Sequence, residues 1–401
     1  MHVLVILALA MAVGPGGATL RTGCYADSTV VGQVPEGAPV TVKFSLSGQS
    51  EPCYKVTTTI GGKAVEGYLP GAAISDLESF DQARKAGGAV LGTRDVLQAV
   101  GAAADRKPLG AGSLMDQAAG LIESGQPNRA LSLLEPQLTG GYPNVLALAG
   151  AAAWRADDPQ RALSLWRKSL AIRPDAQVKS LVAQVERENQ GDQSKQRIYG
   201  ARVLLRYEDA AVSPDTARAM AAAVDQEFAR VSSELGCSSS ERIVTIAQSL
   251  DAYKRTTAAA EWSGGQFDGR IRVPVFDGKS VDAEMRQTLA HEVTHACLAM
   301  MGRWPTWVHE GIAQASSGRT LSAAERAVVI EQARAKKMTL SKSADEWANL
   351  DSQSARLAYD LALSAVEVYR QESGTAGLRN LLRNPERLAR ITADLDRKLG
   401  L

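Results

Sequence analysis

Two histidines standing four positions apart, His291 and His295, constrain this chain more than any other feature. They lie in VDAEMRQTLAHEVTHACLAMMGRWPTWVHEGIA, residues 281 to 313, where Met285, Leu289, Val293, Ala296 and Met300 recur at helical spacing. A helix puts both imidazoles one turn apart on one face. Two neutral imidazoles so placed hold a zinc ion at about 2.0 to 2.1 Å each, and Glu292 between them is positioned to take a proton from a metal-bound water. A catalytic zinc wants a third protein ligand, and the run PTWVHEGIAQ that follows supplies Glu310. Ser280 can cap the first helix, Asp282 and Glu284 favour its dipole, and Gly302 with Pro305 stops it. A second helix from about Thr306 then returns Glu310 toward the same ion.

Histidines and glutamates at this spacing also occur on solvated helix faces, but three observations weigh against that. The chain has only four histidines, and all but His2 fall between positions 291 and 309. The flanks LA and ACLAM are apolar, as a buried helix requires. The carboxylate arrives in a Trp-x-x-Glu-Gly context.

HEVTHA followed by PTWVHEGIAQ resembles the gluzincin metallopeptidases, and more closely their bacterial peptidase-MA-like branch. The resemblance spans residues 198 to 390 and is specific around 290 to 313. It implies one zinc ion with His291, His295 and Glu310 as ligands, and Glu292 as general base. His309, next to Glu310, could in principle bind instead, but neighbours on a helix point about 100° apart, so only one can be a ligand. With Glu310 as ligand, His309 is a candidate to support a ligand or to line the substrate cleft, the alternative being a partly exposed histidine with no role. In such enzymes an edge strand before the zinc helix pairs with substrate. The strand GRIRVPVF, 269 to 276, takes that place, with Arg272 and Val273 as substrate-binding positions. Pro274 fits an edge, since it cannot donate to a ladder. By analogy with a late tyrosine of the family, Tyr359 is the oxyanion donor, ahead of Tyr253 and Arg272.

With 45 basic and 44 acidic residues the net charge is +1, so nothing argues for a nucleic-acid partner. Residues 3 to 13, VLVILALAMAV, form an apolar run too short to span a bilayer and are followed by small residues. They read as a signal peptide over 1–18, cut after Ala18, leaving no transmembrane span in the mature chain and a secreted or periplasmic destination. Four cysteines agree with an oxidising compartment. Cys24 and Cys53 lie in one β-rich region and can close a loop. Cys237 and Cys297 are the second pair by elimination, with Cys297 either a core thiol or a disulfide partner.

Residues 19–77 alternate in short segments separated by turn signals such as Gly61-Gly62, the pattern of a small antiparallel β-barrel. ATLRTGCYADSTVVGQVPEGAPVTV and GYLPGAAI resemble bacterial Src-homology-3-like domains, which implies a cell-wall or peptide ligand; a structural spacer is the alternative. A Gly- and Ala-rich linker, 78–112, follows. In 113–185, PNRALSLL at 127 returns as PQRALSLW at 159, a period of 32. This looks like tetratricopeptide-type hairpins, which bind a protein partner or act as a spacer. ERENQGDQSKQR, 186 to 197, carries almost no apolar residue and reads as a boundary before the 198–401 domain.

The fold class expected is therefore multidomain: a small β-barrel, an α-helical repeat segment, and an α+β thermolysin-like metallopeptidase domain. The expected function is an exported zinc-dependent peptidase acting on peptides or proteins. The alternatives are a non-catalytic envelope scaffold on a peptidase fold and a zinc amidase acting on cell-wall peptides.

Overall fold

The computed structural model describes residues 11–22, 28–46, 53–75, 77, 114–192, 194–257, 265–275, 281–302, 304–341 and 352–401. Among these residues the chain is multidomain, with a curled antiparallel sheet followed by a helix-rich remainder built on a second sheet. The linker 78–112 and the Cys24–Cys53 pairing lie outside the described residues.

The first sheet contains β1 (Met11–Val13), β2 (Ala18–Arg21), β3 (Val30–Val34), β4 (Pro39–Leu46), β5 (Cys53–Ile60), β6 (Lys63–Pro70) and β7 (Ile74–Ser75). Its order is β3-β2-β6-β5-β4-β1-β7, and the sheet curls into half a barrel, compatible in outline with the small antiparallel barrel expected. Gly61 and Gly62, both at positive φ, make the two-residue β5–β6 turn, which sets Ile60 opposite Lys63. Leu20, Val34, Val42, Val56 and Leu69 fill the concave core. β1 also belongs to this sheet, paired with β4 and β7, with Met11 and Val13 buried. The leader expected over 1–18 therefore overlaps a strand: alternating apolar residues that read as a leader's end are also what a half-buried strand needs.

From Leu114 the described residues form five helices: α1 (Leu114–Glu123), α2 (Pro127–Leu134), α3 (Pro143–Arg155), α4 (Pro159–Ile172) and α5 (Ala176–Gly191). The 32-residue period is visible as Pro127 and Pro159 opening α2 and α4 at the first helical position, where a missing N–H costs nothing. The small residues of α3 let α4 approach. A Cβ on Gly150 would fall 2.3 Å from Trp166 Nε1, which donates to Ala147 O at 2.9 Å. The polar stretch expected to be a boundary instead carries α5 on to Gly191 and then enters β8 (Gln196–Tyr199).

The second sheet adds β9 (Val203–Tyr207), β10 (Ile243–Ser249), β11 (Gln266–Phe267) and β12 (Ile271–Val275), in the order β11-β12-β10-β9-β8. β9, β10 and β12 are parallel, and β8 and β11 flank them antiparallel. β12 is thus not the edge over its first half, since β11 pairs with Ile271 and Arg272. Its Arg272, with Arg270 just before the strand, belongs to a buried ion network. Glu188 Oε2 accepts from Arg270 at 3.1 Å and Arg272 at 2.7 Å, and Asp268 accepts from Arg272 at 3.1 Å. Arg206 pairs with Asp157 at 3.0 Å and Asp192 at 2.6 Å, while Arg270 stacks 4.2 Å from the Trp154 ring centroid. Carboxylates from α3's end and α5 thereby neutralise arginines of the sheet, which fastens the hairpins to it. Arg272, 1% exposed, and the core residue Val273 are held inside this packing, so a substrate could not reach them as expected.

The remainder is helical: α6 (Pro214–Leu235), α7 (Leu250–Thr257), α8 (Ala283–Met301), α9 (Thr306–Ser316), α10 (Ala323–Ala335), α11 (Ser352–Arg383, kinked at Gly374) and α12 (Leu388–Leu399). Ser213 caps α6 and Gly236 ends it at φ 93°. Ser322 and Glu325 form a capping box on α10. Cys237, just past α6, is disulfide-bonded to Cys297 of α8. Among the described residues no helix is long and apolar enough to cross a membrane.

Candidate metal centre

The helix α8 starts at Asp282, whose carboxylate accepts from Met285 N at 2.8 Å, so Asp282 is the cap; Ser280 lies outside the described residues. Its apolar face, Leu289, Val293, Ala296 and Cys297, is sunk in the core shared with α6. After Gly302 the chain turns, Trp304 Nε1 donating to Leu298 O at 3.1 Å, and α9 comes back along α8. These two local decisions, a helix stop and a short return, bring Glu310 to the histidines.

Three side chains converge. His291 Nε2 lies 3.0 Å from His295 Nε2, 3.5 Å from Glu310 Oε2, and His295 Nε2 lies 3.6 Å from Glu310 Oε1. Four donors arranged tetrahedrally at about 2.05 Å from zinc stand about 3.3 Å apart, so the observed separations bracket that spacing. Among the described residues this is the group of histidine, cysteine and acidic side chains able to share a metal ion. Glu310 Oε2 is buried with no hydrogen bond, which leaves a lone pair to donate. The donor set and its spacing fit a divalent ion of zinc's size.

The electrostatics prepare the set. Burial holds His295 down to about 3, so its imidazole stays neutral with a lone pair free. Burial also acts on His291 and Glu310, but neighbouring charges outweigh it: Glu310 raises His291, and His295 followed by His291 lowers Glu310. A cation binding all three takes the place of any proton they hold, so its affinity depends on pH.

Glu292, one position from His291, is 5% exposed, and its Oε2 has no hydrogen-bond partner. Burial is the main cause that pushes its carboxyl up to about 7, with Glu310 adding to it and His291 opposing. A carboxyl tuned there can take and return a proton near neutral pH. Gly265, just before β11, packs directly on it: a Cβ there would meet Glu292 Cγ and Oε1 at 2.8 Å.

Residues beyond the motif fix α9. Gly311 lies so close to α11 that a Cβ would fall 2.5 Å from Ala362 O. Gln314, one turn after Glu310, donates to Glu310 O at 3.1 Å and to Tyr359 O at 2.9 Å, while Arg319 clamps Gln314 and Asp360 together. Arg319, Gln314 and Asp360 carry no sequence signal of their own; Gly311 does, as the glycine of Glu-Gly. Tyr359 sits half-buried on α11 with its carbonyl tied to α9, and the His309 ring lies 5.7 Å from that of His295. Tyr253 is buried on α7, and Arg272 is buried in the ion network. No protein-family model matches the chain, and comparisons with curated proteins and with solved structures return no match either.

Proposed function

We propose that this chain is an exported zinc-dependent peptidase of gluzincin type. The observation that carries the reading is the buried meeting of His291, His295 and Glu310 beside the unpaired carboxylate of Glu292. When bound there, zinc lowers the pKa of a coordinated water toward about 7 and polarises the scissile carbonyl. Glu292 accepts the water's proton on its carboxylate and returns it to the leaving amine. His309 and Tyr359, on the helices framing the site, orient the substrate and its oxyanion. The Cys237–Cys297 bond supports an oxidising compartment. The half-barrel, as a Src-homology-3-like module, and the hairpins, as tetratricopeptide-like repeats, direct the enzyme to cell-wall or protein targets.

Elemental analysis of the purified chain, set beside cleavage of a peptide library by wild type and Glu292→Gln, tests this. The expected result is about one zinc per chain in both proteins, with cleavage by wild type alone, reduced about 10²- to 10⁴-fold by the substitution. Zinc bound without cleavage by either overturns the catalytic reading and leaves a scaffold. Cleavage of muropeptides alone redirects it to a cell-wall amidase.

A further inference from the structure

Glu292 is confined from two directions, by the helix that carries it and by the chain entering β11. Gly265 stands immediately before Gln266 and Phe267 of that strand. A Cβ at Gly265 would meet Glu292 Cγ at 2.8 Å, Oε1 at 2.8 Å and Cδ at 3.0 Å. These are the three nearest atoms to that point, and all belong to one side chain. Non-bonded carbon atoms do not approach so closely. The volume a side chain at 265 would fill is therefore already taken by the stem and carboxyl group of Glu292.

Backbone conformation does not account for the glycine. Gly265 is not at positive φ, so other residues could adopt its dihedral angles. Space alone excludes them.

Both sides of this contact are fixed. β11 pairs antiparallel with β12, Gln266 opposite Arg272 and Phe267 opposite Ile271. Phe267 also packs against the core that buries Leu289 and Val293 of α8. Arg272 is held in turn by Glu188 of α5 at 2.7 Å and by Asp268 at 3.1 Å. The ion network between hairpins and sheet thus steadies the strand on which Gly265 rests. On the other side, Glu292 Cγ is one bond from a Cβ set by the helix. Only a change of χ1 moves it, and a helix leaves few χ1 rotamers open.

Taking the site as that of a peptidase, we propose that Gly265 is a positioning residue: its bare backbone is the wall that sets the Glu292 carboxyl group, and a side chain there displaces the base. Moving Cγ from 2.8 Å out to about 3.5 Å, where carbon atoms pack well, shifts the stem by about 0.7 Å. A misplacement of about 1 Å costs about 100-fold in rate.

Two measurements on the full chain test this. Thermal unfolding of the zinc-free protein reads the contact itself, across wild type, Gly265→Ala, Glu292→Ala and the double variant. Gly265→Ala is expected to lower the midpoint by about 2 °C or more when Glu292 is present, and to cost nothing in the Glu292→Ala background, where Cγ is gone. Steady-state cleavage reads the consequence. Here kcat is expected to fall about 10- to 100-fold while KM and zinc content keep their wild-type values, and in the Glu292→Gln background the glycine substitution lowers kcat no further. A Gly265→Ala protein as stable as wild type, or one equally destabilised in both backgrounds, overturns the proposal. So does an unchanged kcat, or a loss confined to KM. Should Gly265→Ala fail to fold, the double variant is expected to fold, and its failure overturns the contact as well. A wild type that cleaves nothing removes the peptidase reading and the base's role with it; an active wild type matched by Gly265→Ala removes this proposal alone.

Discussion

Replacing Gly311 by alanine tests whether packing between α9 and α11 sets the third donor. The new methyl carbon would lie 2.5 Å from Ala362 O, 2.7 Å from Val366 Cγ2 and 2.8 Å from Ala362 C. Two of these contacts are main-chain atoms of a long buried helix, which does not yield as a side-chain tip does. Bringing the nearest contact out to about 3.2 Å requires α9 to retreat by about 0.7 Å, at an overpacking cost of about 1 to 3 kcal/mol. Metal sites tolerate only about ±0.2 Å in ligand distance. The carboxylate of Glu310, next in the chain, moves several times that far from two imidazoles that stay put on α8. Zinc affinity is expected to fall about 10- to 100-fold, the range seen when supports of metal ligands are removed. Competition with a chromophoric chelator measures it. Gly120→Ala is the control, because nothing lies within 4 Å of a Cβ at that exposed helical position. A Gly311→Ala protein that holds zinc as tightly as wild type refutes the packing argument. A wild-type protein that takes no zinc refutes the peptidase proposal instead.

Glu292→Gln should also change stability with pH. In the unfolded chain this carboxyl titrates near 4.5 and in the fold near 7, so at pH 4 both states hold the proton and nothing is gained. Between those values the unfolded chain ionises first, and the native state loses stability as pH rises, by about 3 kcal/mol above pH 7. With a chelator present, thermal unfolding should find the variant more stable than wild type at pH 8 and equal to it at pH 4; equal curves at both would contradict the raised carboxyl. Arg272→Met leaves the buried Glu188 and Asp268 carboxylates with Arg270 as their remaining guanidinium in the network, and urea unfolding should show a loss of about 1.5 to 3 kcal/mol. An unchanged midpoint would return Arg272 to a functional role. Cys297→Ser opens a loop closed across 60 residues, which the chain-entropy model values at about 4 kcal/mol, read by the same denaturation. A chain begun at Thr19 lacks β1, and hydrogen exchange should show lost protection at Val40 and Ser75, which face Met11 and Ala12 from β4 and β7.

What the sequence made legible follows from how far each interaction reaches. His291, His295 and Glu292 are related by one helical turn, so spacing alone places them. The start of α6 at Pro214, the box at Ser322 and Glu325, and the turn at Gly61-Gly62 are equally local. Arg272 was misplaced because an arginine in a strand of otherwise apolar residues reads as a functional group in a cleft. Its partners, Glu188 and Asp268, lie 84 and 4 positions away, and the distant one sits in a stretch whose polarity suggests a domain boundary. Counting charges along the chain cannot reveal that they neutralise one another in the interior. β1 is hidden for a related reason: an apolar run before small residues serves a leader and a buried strand alike, and the pairing of Met11 and Ala12 with Val40 and Pro39 is not written in the run itself.

The two halves of the metal site are consequently held by different devices. The histidines share one helix, where a rise of about 1.5 Å per residue sets their separation whatever happens to neighbouring elements. Glu310 depends on α9 resting against α11 through Gly311 and on the Gln314, Arg319 and Asp360 clamp. Loss of the Cys237–Cys297 bond loosens α8 from α6 and moves both imidazoles as a body, leaving their mutual spacing intact. Disturbing Gly311 shifts the carboxylate relative to that body. Stability and zinc affinity should therefore separate: the cysteine substitution takes more stability for each unit of affinity lost, and the glycine substitution takes more affinity. A site assembled as one indivisible unit would lose both in the same proportion.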